Sequence, residues 1–104
     1  MEWINLLLAT FFEIGWPLGF KLASLSNHRV LWLIMAAISM ILSGIFLYYA
    51  QKHIPIGIAY AIWTGLGAAC TFLIGVFVFN DMLNLMRILG VLMIIFGVVL
   101  LKIG

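Results

Sequence analysis

The chain has 104 residues, of which 67% are hydrophobic and 8% are charged, with a formal net charge of +2. A soluble domain needs a charged, polar surface, and so few charged side chains cannot supply one, so the composition points to a membrane protein. The small net charge and the absence of a basic run give no reason to expect nucleic acid as a partner.

Charged and turn-forming residues gather into short breaks at 21–29, 51–55 and 80–87, leaving apolar runs at 3–20, 30–50, 56–79 and 88–101. A helix crosses the ~30 Å hydrocarbon core in ~20 residues. The runs therefore predict an all-α membrane protein in one domain, 1–104, with transmembrane helices over about 3–22, 30–50, 56–79 and 85–103. The last is short unless Arg87 and Lys102 extend their stems to the interfaces. Glu2 stands where a secretory signal would carry basic residues, and Glu13 interrupts the apolar run behind it, so the first segment reads as part of the mature protein.

The first helix carries Glu13 near its middle, in a stretch otherwise without charge. A charged group at that depth costs about 3 kcal/mol or more, which makes Glu13 the leading functional candidate. Trp16 lies one turn on, at a spacing that lets its indole N–H reach the carboxylate. Pro17 removes the helical partner of the Glu13 carbonyl, and either bends the helix or belongs to the site. The second helix bears a narrow stripe of small residues, Ala36, Ser39, Ser43 and Ala50, suited to close helix approach. Its serines bond across to a neighbour or back to their own backbone. Tyr48 and Tyr49 near its end fit an interfacial aromatic belt.

The third helix places Tyr60 and Trp63 on one face, where aromatic rings attract cations. Gly65 and Gly67 follow, as a candidate hinge or as ordinary packing. The fourth carries Gly90, Ile94 and Gly97, a flat seam suited to self-association. Cys70 is alone in an apolar run and reads as a small core side chain. His28 and His53 fall in loops on opposite sides, so no metal site forms within one chain, and nothing suggests a nucleotide, flavin or haem cofactor, or an enzyme.

Lys52 and Lys102 share the side of the N-terminus, whereas Lys21, Arg29 and Arg87 lie on the other. That bias is too small to fix orientation by the positive-inside rule, so insertion both ways up is expected, against a modest preference for the first and third loops inside. Transporters commonly place a midplane site between inverted repeats, and this chain has one repeat's worth of helices. Two copies in opposite orientation supply the other half.

With these residues in view, the chain resembles the small multidrug resistance transporters over essentially its full length. The resemblance rests on Phe12-Glu13 with Lys21-Leu22, on Pro55-Ile56-Gly57 and Ala59-Tyr60-Ala61-Ile62-Trp63-Thr64-Gly65-Leu66-Gly67, and on the Gly90 to Gly97 seam. Trp16 looks like the guanidinium-exporting subtype, since the quaternary-ammonium exporters usually have a small residue there. The resemblance implies an antiparallel homodimer in the bacterial inner membrane, or an unequal pair with a paralogous chain. It also implies that the two Glu13 carboxylates take up protons and a small organic cation in turn. Carried over, Trp16 and Ser43 orient Glu13, while Tyr60 and Trp63 line the pocket. The expected activity is proton-coupled antiport of guanidinium or small guanidinyl cations. The alternatives are a broader exporter of quaternary-ammonium or hydrophobic cations, and an accessory membrane subunit that transports nothing.

Overall fold

In lipid every backbone N–H and C=O must find its partner within the protein, which an α-helix achieves inside a single segment. The computed structural model of the chain describes residues 2–104, and its apolar runs form four helices: α1 (Glu2–Leu25), α2 (Arg29–Ala50), α3 (Ile56–Val78) and α4 (Leu85–Ile103). Each is long and apolar enough to cross a membrane. Helix α1 runs three residues beyond the expected end at 22, and the Ser24 hydroxyl bonds the Lys21 carbonyl in that extra turn (2.7 Å). Pro17 does not end α1, and α3 continues unbroken through Gly65 and Gly67.

The helix ends are closed by local chemistry. The Asn84 side chain caps α4, accepting from the Arg87 N–H at 2.9 Å, as a short amide at the N-cap does. At the end of α3 the Gly75 carbonyl accepts from the N–H groups of both Phe79 (3.1 Å) and Asp81 (3.0 Å). Asn80 sits between them in the left-handed region, with φ at 57°, a conformation asparagine tolerates better than most residues. This hairpin turns the chain back over the end of α3.

The Cα atoms occupy a slab 44 × 35 Å across and 16 Å deep. Helix α1 packs chiefly on α2 and also on α3, while α4 packs on α3 alone among the described residues. No residue of α4 is buried. The buried positions, Leu6, Ala9, Thr10 and Ala59 among them, lie where α1 meets its neighbours, and most other large apolar side chains face outward. Lysine stems mark the two ends of the slab. Lys102 Nζ lies 4.5 Å from the Trp3 ring and Lys52 Nζ 4.8 Å from that of Tyr48, whereas Lys21 Nζ lies 5.8 Å from that of Phe79.

Small residues set the helix spacing. A Cβ added at Gly19 would fall 2.9 Å from Ala36 Cβ and 3.1 Å from the Trp32 carbonyl oxygen, so α1 and α2 approach almost backbone to backbone. In lipid, such packing replaces the hydrophobic effect as the force between helices. Gly19→Leu is therefore expected to cost about 1–3 kcal/mol, the usual penalty for overpacking a tight contact. Thermal unfolding in detergent will show this as an earlier transition than that of the parent.

Candidate functional site

Glu13 lies on the α1 face that meets α3. The Trp16 indole N–H donates to Glu13 Oε1, so a single helical turn holds both donor and acceptor. The Trp16 ring is itself held edge-on against Phe20, with centroids 5.6 Å apart. On the other side, a Cβ at Gly67 would stand 2.8 Å from Glu13 Cγ, so the carboxylate stem rests on bare α3 backbone.

Glu13, Trp16 and Pro17 form one wall of a cavity of about 430 Å³. Thr64, Gly67, Ala68, Thr71 and Phe72 of α3 form the other, and Asp81 of the α3–α4 hairpin joins it. The volume falls within the range for small-molecule sites, ~300–1,000 Å³. The Thr64 hydroxyl is committed to the Tyr60 carbonyl (2.8 Å), whereas that of Thr71 makes no hydrogen bond among the described residues. Another cavity, about 260 Å³ between Trp3, Leu6, Ile62, Val98 and Lys102, is nearly all apolar, holds no carboxylate, and has Lys102 already over its Trp3 ring.

Ser43 and Trp63 take a different position within the chain. The Ser43 hydroxyl, almost wholly buried, donates to the Ala9 carbonyl at 2.7 Å rather than to Glu13. The Trp63 indole N–H donates to Ser43 Oγ at 2.8 Å and to the Ala9 carbonyl at 3.3 Å. Helical geometry makes that same carbonyl the acceptor for the Glu13 backbone N–H. Side chains of α2 and α3 thus converge on the peptide group below the carboxylate, and fix the rotation of α1 that aims Glu13. Removing the hydroxyl leaves Trp63 with its longer bond alone. Ser43→Ala is expected to lower stability by about 1 kcal/mol, measurable as a shift in detergent-induced unfolding.

The remaining candidates are dispersed. Tyr60 is largely exposed, with its ring centroid 5.5 Å from that of Trp63, and does not line the cavity. Ser39 faces Gly15 across the α1–α2 contact, where a Cβ on that glycine would come within 2.7 Å of its hydroxyl oxygen. Gly65 lies under Val98 and Ile94, which brings α3 and α4 together. Ile94 is thereby partly used within the chain, while Gly90 and Gly97 face open space. No group of metal-ligating side chains forms among the described residues.

Thr64, Ala68, Thr71, Phe72 and Asp81 were not anticipated from sequence. The threonines had a visible signal, since Tyr60, Thr64, Gly67 and Thr71 recur at helical spacing and put hydroxyls on one face of an apolar span. Asp81 had none, because its place depends on the hairpin folding back.

Residues 1–94 match the family described as Small Multidrug Resistance protein. Over 104 residues, all of this chain and 99% of the relative, the sequence is 42% identical to a guanidinium exporter of Proteus vulgaris. With the same coverage it is 37% identical to guanidinium exporters of Yersinia pseudotuberculosis serotype I (strain IP32953) and Yersinia pestis. Four membrane-spanning helices, a carboxylate within the first and a family match over most of the length agree: this chain is a multi-pass membrane protein of the Small Multidrug Resistance family.

Proposed function

We propose that the chain exports guanidinium or small guanidinyl cations across the bacterial inner membrane in exchange for protons. The observation that carries this reading is the Glu13 carboxylate, near the middle of α1, held by Trp16 at the wall of a cavity that reaches the α3–α4 hairpin. The exporters at 37–42% identity support the substrate class. A bare carboxylate at this depth is costly, so a proton or a cation must meet it, and the two compete. Guanidinium is planar and presents paired N–H groups that match a carboxylate edge.

The functional unit in this reading is an antiparallel homodimer with two Glu13 residues. Helix α4 supports it: none of its residues is buried, and Gly90 and Gly97 leave a flat surface for a second copy. Exchange of roles between the protomers then makes the two facings equal in energy. If only the loaded dimer changes facing, each inward proton step drives a cation out.

Purified protein in liposomes tests the proposal. Guanidinium added on one side is expected to draw protons from the opposite side toward it, as exchange requires. A response to quaternary ammonium ions with none to guanidinium would favour the broader exporter, and silence with both would leave an accessory subunit.

A further inference from the structure

The α3–α4 hairpin delivers a second carboxylate to the cavity that holds Glu13. Asp81 is tied to the end of α3 through its N–H to the Gly75 carbonyl (3.0 Å), with Asn80 turned into the left-handed region to allow it. Its carboxylate lies directly over the Gly75 backbone, at the place a Cβ on that residue would occupy. It lines the same cavity as Glu13, Trp16 and Thr71. Yet Asp81 stands beyond the last turn of α3, exposed, at the level of the loops. Two basic side chains near the hairpin make other contacts. Arg87 donates to the Met82 carbonyl at 2.6 Å, and Lys21 reaches over the Phe79 ring. Among the described residues Asp81 has no ion-pair partner.

We propose that Asp81 is the capture residue of this cavity: its carboxylate meets the incoming cation at the lipid–water interface and hands it inward to Glu13. The inference rests on the export of a small cation proposed above, and adds to it a binding residue outside the hydrocarbon. Such a group raises the local concentration of a cation at the mouth of the site, and salt screens that effect. A buried carboxylate is screened far less, so the two contributions separate by ionic strength. Capture by Asp81 therefore predicts a salt-sensitive KM and leaves maximal flux to Glu13. The positions of Gly75 and Asn80 acquire a reason as well, because both are needed to hold the carboxylate over the cavity rather than out in water.

The experiment measures guanidinium-evoked proton flux in vesicles of zwitterionic phosphatidylcholine, which carry no lipid surface charge, at low and high sodium chloride. The parent is expected to show a KM that rises with salt. Asp81→Asn should raise KM about threefold to fivefold at low salt, the scale of one exposed ion pair, abolish its salt dependence, and leave maximal flux within about twofold. Asp81→Glu should restore the parent behaviour. Gly75→Ala keeps the carboxylate but drives it off its seat, and should reproduce the Asn phenotype. That variant decides the matter should Asp81→Asn fail to fold. Parent-like KM at every salt concentration in these variants, with the parent itself exporting guanidinium, overturns the role of Asp81 alone. A parent that moves no guanidinium overturns the export reading and this one together.

Discussion

Glu13→Gln is expected to abolish guanidinium-driven proton exchange. Glutamine keeps the shape of the side chain, and its amide oxygen can still accept from the Trp16 indole, the bond that Glu13 Oε1 makes now. The change therefore removes charge and proton affinity while leaving the cavity wall intact. Where the cation needs a second acceptor, the amide presents N–H groups. Each hydrogen bond to a charged partner contributes about 1.5–3 kcal/mol, and a paired carboxylate–guanidinium contact makes two of them. The loss corresponds to a hundredfold or more in affinity, which puts flux below detection. Glu13→Asp should retain partial flux, because it keeps the charge and shortens the reach by one methylene. Flux from both variants in pH-dye-loaded liposomes checks this, and proton-coupled uptake by the glutamine variant would remove Glu13 from the centre of the mechanism.

Gly67→Ala is expected to weaken guanidinium binding about tenfold or more at a smaller net cost in stability. The new methyl would stand 2.8 Å from Glu13 Cγ. That atom is the middle of the stem rather than its free end, so the whole carboxylate must swing aside and lose its alignment with Trp16. Overpacking of this kind costs about 1–3 kcal/mol, which reads as a loss of roughly tenfold to a hundredfold. The helix itself gains, since alanine is favoured over glycine in a helix interior by up to about 1 kcal/mol. Thermal unfolding in detergent should therefore fall only by the part of the overpacking cost that this gain does not offset, while the KM for guanidinium rises. An unchanged KM would mean that Glu13 does not rest on α3 when it binds.

The contrast between these variants mirrors how the site is encoded. The Glu13–Trp16 pair follows from local geometry, since residues three apart on a helix are neighbours whatever surrounds them. The bonds that rotate α1 join residues 34 and 54 positions apart in the chain. No periodicity in either helix announces them. From its residues Ser43 belonged to a stripe of small side chains and the resemblance gave it Glu13 to orient, whereas its bond goes to the Ala9 carbonyl.

By itself the sequence determined four spans, a carboxylate partway through the first and a tryptophan to hold it. Lipid makes each apolar run satisfy its own backbone, so helix formation there depends on nothing distant. Only the tertiary structure decided that Gly67 supports Glu13, that Ser43 and Trp63 meet on the Ala9 carbonyl, and that Asp81 returns to the cavity. Those relations depend on how far one helix is rotated against the next, which the close α1–α2 contacts at Gly15 and Gly19 and the bonds to the Ala9 carbonyl constrain together. Packing in lipid is governed by the fit of surfaces from separate segments, and a linear pattern does not carry that fit.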